Sequence, residues 1–299
     1  MDDRRAVLIV AGPTASGKTP LAIELARRFD AEIVGADSRQ IYRGMPIGTA
    51  APSPEQLAAI PHHCVGLVDP CERYSAARYV GDALAAIDAI HQRGKRAIVV
   101  GGTGFYLRAL VGAVELAPAY DERLRNRLHD EARMHPPEFL HQWLALLDAR
   151  RAADLDARDT YRILRGLEIA LARDARERDG PLRTLASEGI TWITIALDVA
   201  LTELDARIEQ RCAAMLRAGF VEEAERIGEA APAASAVGYP QALAYLRGWG
   251  TSSELRALLI RATKRYARRQ RAWFRRERGV LWLASDTAAD VAREKLGWL

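Results

Sequence analysis

Cysteine is scarce in this sequence: the 299 residues include only Cys64, Cys71 and Cys212. An odd number of cysteines without regular spacing argues against a disulfide framework and indicates a reducing compartment. His62 and His63 lie next to Cys64, but the group lacks the paired spacing of a structural zinc site. The cysteines therefore predict neither a disulfide-stabilised fold nor a zinc centre.

Long hydrophobic runs are also lacking. The charged N-terminal residues 2–5 lead into the apolar run 6–11, which is too short for a signal peptide or a membrane span. We therefore expect a cytoplasmic protein that has no membrane partner. Because 49% of the residues are hydrophobic, the chain can bury a sizeable core, as one large domain or as a domain with an insertion.

Neither sign of charge is in large excess, since the formal net charge is +4. The basic residues are unevenly distributed: nine of the eighteen residues of 261–278 are Lys or Arg, and Glu277 is the only acid there. At helical spacing, one face of this run would carry Lys264, Arg268, Arg271, Arg275 and Arg278. The run lacks the alternating acids of a self-neutralised helix, so we expect this face to bind a polyanion.

The most informative stretch follows the first apolar run and has the spacing G-x-x-x-x-G-K-[ST] of a phosphate-binding P-loop. It consists of Gly12, Pro13, Thr14, Ala15, Ser16, Gly17, Lys18 and Thr19. Its glycines allow the backbone N–H groups to turn towards phosphate oxygens at the positive end of the following helix. Lys18 would contact the outer phosphate, and the Thr19 hydroxyl would hold Mg²⁺. The stretch therefore predicts a polyphosphate site.

Apolar runs alternate with helical patterns along the chain. We predict strands at 6–11, 31–36, 64–68, 96–100, 191–197 and 279–283, and a helix over 75–92 that is capped by Ser75. A second helix is expected to begin at a capping pair of Thr202 and Asp205 and to run through 215. The fold class is therefore α/β, a P-loop NTPase-like parallel sheet flanked by helices. In such a sheet, residues 12–19, 37–40 and 101–104 would meet at the carboxyl edge of the strands.

Residues 114–189 have a different texture, rich in Arg, Asp, Glu, Leu and Ala at helical spacing. We predict helices at 121–133, 136–148 and 159–173, the last capped by Asp159. This region is predicted to be an all-helical insertion, and residues 1–113 and 190–299 form the α/β core.

Several P-loop classes lack support. The sequence has no D-x-x-G or N-K-x-D element of a guanine-nucleotide switch, and the strand ending at Val100 delivers glycines and Thr103 where many ATPases have an aspartate. The second strand is instead followed by Asp37, a carboxylate that could take a proton from a nucleophile near the phosphate site.

Together these motifs resemble the bacterial tRNA dimethylallyltransferases, the IPP transferase family. The matching segments span most of the chain in the family's order: 12–19, 37–50, 100–107, 162–168, 207–211, 237–239 and 264–275. The resemblance implies transfer of the dimethylallyl group of dimethylallyl diphosphate to the exocyclic amine of the adenine 3′ of the anticodon, at tRNA position 37. Because Ser235 and Pro240 depart from the basic residues expected around 237–239, that loop receives no role.

The resemblance also implies roles for individual residues. Asp37 would be the base, Thr103 and Arg211 would stabilise the leaving diphosphate, and Mg²⁺ would lie on Thr19. The helical insertion and the basic C-terminal helix would hold the anticodon stem-loop of a monomeric enzyme. The implied RNA contacts are Asp37, Ser38, Arg39, Gln40, Thr103, Arg125, Tyr161, Arg162, Ile163, Leu164 and Arg165.

Three alternatives remain open from the sequence. The first is an adenylate isopentenyltransferase that acts on a free nucleotide. The second is a P-loop kinase of small molecules. The third is a nucleotide-gated RNA-binding module without chemistry. The helical insertion and the basic helix argue against the first, because a small acceptor needs neither.

Overall fold

The computed structural model describes residues 5–114, 116, 122–171 and 182–298. It contains a sheet of six parallel strands, five of which are formed by apolar runs of the sequence. The strands are β1 (Val7–Ala11), β2 (Ala31–Gly35), β3 (His62–His63), β4 (Arg96–Gly101), β5 (Trp192–Leu197) and β6 (Val280–Leu283). Their order across the sheet is β3-β2-β4-β1-β5-β6, so β1 lies between β4 and β5. All residues of β1 and β2 are buried, as expected for parallel strands covered on both faces.

Helices flank this sheet. In chain order they are α1 (Lys18–Arg28), α2 (Pro54–Ala59), α3 (Ala76–Gln92), α4 (Gly104–Leu110), then, after the helical insertion described below, α9 (Leu201–Arg217), α10 (Phe220–Ile227), α11 (Tyr239–Leu246), α12 (Ser252–Arg276) and α13 (Ala288–Leu296). Short 3-10 turns lie at Pro232–Ser235 and Ser285–Thr287. No helix in the described ranges is both long enough and apolar enough to cross a bilayer.

The chain divides into two compact units, one formed by Met1–Ala113 with Arg183–Leu299 and the other by Val114–Leu182. The second unit contains α5 (Glu122–Met134), α6 (Pro137–Leu147), α7 (Ala149–Ala153) and α8 (Thr160–Leu171). Its core is a cluster of buried leucines with Ile163 and Ala152. Parts of the helices predicted at 121–133 and 159–173, namely 121 and 172–173, lie outside the described residues.

The second unit ends at Leu182, whereas the sequence predicts an insertion that continues to 189. Residues after 182 bond to the first unit: Leu185 N–H donates to Leu110 O at 2.8 Å, and Arg183 pairs with Asp88 at 3.1 Å. These contacts place the end of the insertion before Arg183.

Two local predictions are wrong. The strand expected at 64–68 is replaced by the two-residue strand β3, because Cys64 and Gly66 adopt positive φ angles of 58° and 60° that break an extended run. The helix expected to begin at a Thr202 cap begins instead at Leu201, after Ala200, without a side-chain cap. The Ser75 and Asp159 caps are confirmed, since each accepts a backbone N–H three residues on, from Arg78 and Arg162.

Candidate active site

The P-loop joins the end of β1 to the start of α1. Gly12 and Gly17 have φ angles of 139° and 93°, which suit glycine, and Gly17 is the N-cap of α1. Because parallel strands place their carboxyl ends at one edge, this loop lies at the same edge as the residues that follow β2 and β4. The predicted strand–loop–helix arrangement is therefore present.

The basic groups of the site meet around this loop. Lys18 Nζ donates to Pro13 O at 3.1 Å, and Arg211 Nη1 donates to Thr14 Oγ1 at 2.8 Å. One turn before Arg211 on α9, Arg207 Nη1 donates to Ser16 O at 3.1 Å. The helix α9 thus brings two guanidinium groups to the loop, as the spacing of these arginines allows.

The electrostatics link this cluster to Asp37. Burial of the ammonium lowers the pKa of Lys18 to about 8; the Asp37 carboxylate opposes that shift, and the Arg211 cation adds to it. Burial also lowers the pKa of Arg211, and Asp37 again acts in the opposite direction. The carboxylate therefore lies near both cations, although none of the ion pairs in the described part of the chain joins it to them.

Asp37 and Thr103 form the other side of this edge. Asp37 follows β2, and its Oδ1 accepts the N–H of Arg39 at 2.9 Å and of Gln40 at 3.4 Å, which fixes the carboxylate in a turn. Thr103 follows β4, and its Oγ1 accepts Ser38 N–H at 3.0 Å. The three loops expected to converge at the carboxyl edge, 12–19, 37–40 and 101–104, are therefore brought together.

The helix α12 supplies site residues that the sequence argument missed. Gln270 Oε1 accepts Thr14 N–H at 2.8 Å, and its Nε2 donates to Gly102 O at 2.8 Å. One turn earlier, burial raises the pKa of Tyr266, and the nearby Asp37 carboxylate raises it further. A Cβ on Gly104 would collide with the indole of Trp273. The sequence does contain a signal for these site residues. The uncharged residues 266, 270 and 273 recur at helical spacing within the basic run, which places them on one face of the helix.

A buried carboxylate holds the end of the motif 37–50. Glu223 accepts the N–H groups of Ile47 at 2.9 Å and Gly48 at 2.7 Å, and the hydroxyl of Tyr239 at 2.7 Å. Gln40 Nε2 donates to Thr49 O and Ala50 O at 3.1 and 2.9 Å, so the same segment is tied back to the Asp37 turn. The segment 45–50 is therefore fixed by buried polar contacts and linked to the Asp37 turn.

Four of the five residues on the predicted basic face form ion pairs with acids, so this face is less positively charged than the basic run alone suggests, and its binding to a polyanion stays a prediction. The acids come from the neighbouring segment 198–209 rather than from α12 itself. The pairs are Lys264–Glu209 (2.6 Å), Arg268–Asp205 (2.7 Å), Arg271–Asp198 (3.4 Å) and Arg275–Asp198 (2.5 Å). A second stripe on the same helix, Arg261, Arg265 and Arg269, is exposed and makes no ion pair within the described ranges. We call these three residues the unpaired stripe.

In the helical unit, the predicted RNA contacts divide into two groups. Tyr161 is 78% exposed, and Arg162 is exposed beside Asp159. Ile163 and Leu164 are 0% and 7% exposed in the core of this unit, so their side chains cannot meet RNA without disrupting it. The predicted contacts of these two residues with RNA would therefore have to be made by their backbone.

Arg125 and Arg165 of this unit share the carboxylate of Glu168. Arg125 binds it through Nε and Nη2, and Arg165 binds it through Nη1. Although burial raises the pKa of Glu168, the hydrogen bonds from both arginines hold it below its ordinary value. The carboxylate thus fixes two guanidinium groups that the resemblance assigns to RNA.

Comparisons with known proteins agree with this geometry. The family described as IPP transferase matches residues 40–277, and the family described as isopentenyl transferase matches residues 5–63. The tRNA dimethylallyltransferase of Anaeromyxobacter dehalogenans (strain 2CP-C) is 44% identical over 282 residues, which are 93% of this chain and 94% of that protein. The tRNA dimethylallyltransferase of Geobacter sulfurreducens is 40% identical over 284 residues, covering 93% and 91%.

Solved structures show the same architecture. The full-length tRNA isopentenylpyrophosphate transferase of Bacillus halodurans superposes with a TM-score of 0.69 at 32% identity, covering 98% of this chain and 95% of that chain. A eukaryotic dimethylallyltransferase acting on tRNA reaches a TM-score of 0.76 over 98% of this chain and 77% of its own, at 24% identity, which supports the fold alone.

Proposed function

The chain belongs to the IPP transferase family, and from this we propose that it is a tRNA dimethylallyltransferase. It transfers the dimethylallyl group of dimethylallyl diphosphate to the exocyclic amine of the adenine 3′ of the anticodon, tRNA position 37. The observation that carries the proposal is that hydrogen bonds join the loop of Asp37 to Thr103 and the P-loop to Arg211 and, through Gln270, to Gly102, so that the carboxylate and the cations lie at one sheet edge. A base and an anion cradle at one sheet edge suit a displacement at an allylic diphosphate.

Asp37 acts on the nucleophile. An adenine amine is a poor nucleophile, so the site must align it and accept its proton as the C–N bond forms. Because Asp37 Oδ1 accepts the N–H groups of Arg39 and Gln40, Oδ2 is the oxygen available for that proton. The adenine must leave the stack of the anticodon loop to reach this oxygen, at a cost of a few kcal/mol.

Lys18 and Arg211 act on the leaving group. When the bond between the allylic carbon and the diphosphate oxygen breaks, negative charge grows on the diphosphate. Positive groups already in place stabilise that charge more in the transition state than in the ground state. Both cations lie against the P-loop at the start of α1, where the positive end of the helix also favours an anion.

Thr19 is the residue that would hold Mg²⁺. It lies in the first turn of α1, and its hydroxyl makes no hydrogen bond within the described chain. The neighbouring Ser16 hydroxyl is buried and likewise has no partner there. These oxygens suit a hard cation, which when bound would neutralise charge on the diphosphate.

The RNA side is assigned to the unpaired stripe of α12 and to the exposed groups of the helical unit. Stem-loop phosphates attract guanidinium groups that lack acidic partners, and they release counterions when bound. Arg261, Arg265 and Arg269 meet that condition, whereas the neighbouring basic residues of α12 already have acidic partners. We further propose that the enzyme acts as a monomer in the cytoplasm.

One assay tests the activity against its alternatives. Dimethylallyl diphosphate labelled in the prenyl group is offered with unmodified tRNA, with AMP and with ATP. We expect label in tRNA only, at the adenine beside the anticodon. Prenylated AMP would show an adenylate isopentenyltransferase. Phosphate transfer from ATP would show a kinase, and RNA binding without product would show a binding module.

A further inference from the structure

Gln270 is an uncharged, buried residue in the most basic part of the chain. It is 6% exposed, while its neighbours on α12 include Arg268, Arg269 and Arg271. Burial of a primary amide costs free energy unless both of its ends find partners. Here both ends do, since Oε1 accepts Thr14 N–H and Nε2 donates to Gly102 O, each at 2.8 Å.

The partners determine the orientation of the amide. Thr14 N–H can only donate and Gly102 O can only accept, so the oxygen must face the P-loop and the nitrogen must face Gly102. A Cβ at Gly102 would collide with Gln270 Nε2, so the close approach requires glycine there. The contact is therefore specific at both ends rather than an incidental packing of a polar side chain.

The amide joins two loops that belong to different strands. Thr14 follows β1, and its hydroxyl also accepts from Arg211. Gly102 follows β4 and directly precedes Thr103, whose hydroxyl accepts from Ser38 next to Asp37. One side chain thus connects the part of the site that binds the diphosphate to the part that binds the acceptor base.

We propose that Gln270 is a positioning residue, which sets the distance between the diphosphate cradle and the Thr103–Asp37 side of the site. This role rests on the proposed function: by holding the two loops in place, Gln270 aligns the adenine nitrogen with the allylic carbon. Alignment of reactants accounts for a large part of enzymatic rate enhancement, and a displacement of about 1 Å can cost on the order of 100-fold in rate. The role acts through Thr14 and Gly102, not through contact with the reacting atoms.

The sharpest test is Gln270→Glu, because a neutral carboxylic acid can replace both hydrogen bonds of the amide and a carboxylate cannot. The protonated acid accepts from Thr14 N–H and donates its O–H to Gly102 O, whereas the ionised form has no donor. Burial and the Asp37 carboxylate raise the pKa of the introduced carboxyl, and Lys18 and Arg211 lower it. Activity relative to the unmodified enzyme should therefore recover as the pH falls.

The measurement is the ratio of kcat for the variant to kcat for the unmodified enzyme between pH 5.5 and 8.5. We expect a deficit of roughly 10- to 100-fold at pH 8.5 that shrinks at least threefold towards pH 5.5. Gln270→Leu, which lacks both bonds, should show a deficit of similar size at every pH, with a KM for tRNA within twofold of the unmodified value.

Matched substitutions at Gln92, exposed at the end of α3, are the control: Gln92→Glu and Gln92→Leu should leave kcat within twofold at all pH values. If Gln270→Leu does not fold, Gln270→Met takes its place as an unbranched side chain of similar length. A kcat for Gln270→Leu or Gln270→Met within twofold of the unmodified enzyme overturns the proposal, and so does a Gln270→Glu ratio that does not change with pH.

A second readout separates this proposal from the proposed function. Binding of inorganic diphosphate to the protein without RNA is measured by calorimetry for the same variants. If the unmodified protein does not prenylate tRNA, the proposed function fails. In that case diphosphate binding still tests whether Gln270 positions the P-loop: we expect at least fivefold weaker binding in Gln270→Leu and no change in Gln92→Leu, and unchanged binding in Gln270→Leu overturns the positioning role.

Discussion

The Tyr239 hydroxyl donates a 2.7 Å hydrogen bond to the Glu223 carboxylate, and both residues are fully buried. No ion pair in the described ranges neutralises this carboxylate, which is held by that hydroxyl and by the N–H groups of Ile47 and Gly48. A Cβ at Gly48 would collide with Tyr239 and Phe220. The motif at 237–239, to which the sequence gives no role, therefore fixes the segment 45–50.

Tyr239→Phe tests this contact. It removes one donor from a buried carboxylate, so the free energy of unfolding should fall by about 1–3 kcal/mol. Segment 45–50 is tied to the Asp37 turn through Gln40, so KM for tRNA should rise severalfold, and KM for dimethylallyl diphosphate should change less. Urea denaturation and steady-state kinetics measure the two effects.

The control is Tyr245→Phe on the same helix, where the structure gives the hydroxyl no hydrogen bond among the described residues. It should change unfolding by less than about 0.5 kcal/mol. Equal losses in the two variants would show that the hydroxyl of Tyr239 has no special role.

The sheet and the P-loop could be predicted because they depend on local patterns. Buried parallel strands are continuous apolar runs, and the glycine spacing of 12–19 determines the turn between β1 and α1. The strand expected at 64–68 failed because Cys64 takes a left-handed backbone conformation, which a residue other than glycine seldom adopts.

Contacts between distant segments could not be predicted in this way. The acids that pair with the basic face of α12 lie more than fifty residues earlier in the chain, so the composition of the run alone could not reveal these ion pairs. Gln270 was missed for the same reason, since its partners Thr14 and Gly102 are remote in the chain. Tertiary pairing, which a one-dimensional pattern does not contain, decides both cases.

Asp37→Asn tests the role of Asp37 as a base separately from its role in holding the turn. The asparagine oxygen can still accept the N–H groups of Arg39 and Gln40, so the loop should keep its conformation, but the amide cannot take the proton of the adenine amine. We expect kcat to fall about 100-fold or more with little change in tRNA affinity. Single-turnover kinetics and filter binding measure the two quantities, and near-normal turnover would remove Asp37 from the role of base.

The lowered pKa of Lys18 predicts that the affinity of the site for anions depends on pH. Its ammonium is charged below its pKa of about 8 and loses the charge as the pH rises through that value. The affinity of the RNA-free protein for inorganic diphosphate should therefore weaken between pH 7.5 and 9.5. Diphosphate itself becomes more negative over this range, which would strengthen binding, so a fall reports on the protein.

The control is Lys18→Arg, because a guanidinium stays charged throughout this range. Its affinity for diphosphate should not fall with pH, although its absolute value is expected to be lower, since the larger group does not fit the loop as well. A parallel fall in both proteins would assign the titration to a group other than Lys18.

The unpaired stripe and the ion-paired basic residues of α12 are expected to contribute differently to the salt dependence of tRNA binding. Replacing Arg265 and Arg269 of the unpaired stripe with Gln removes charges that have no acidic partner among the described residues, so KM for tRNA should rise about tenfold. The slope of log KM against log salt should fall by roughly one for each phosphate that the variant no longer neutralises. The matched control replaces Arg271 and Arg275, which share the Asp198 carboxylate, and should change KM for tRNA by less than threefold because that carboxylate already offsets part of their charge. Equal effects of the two double variants would show that RNA displaces Asp198 and binds the paired face as well.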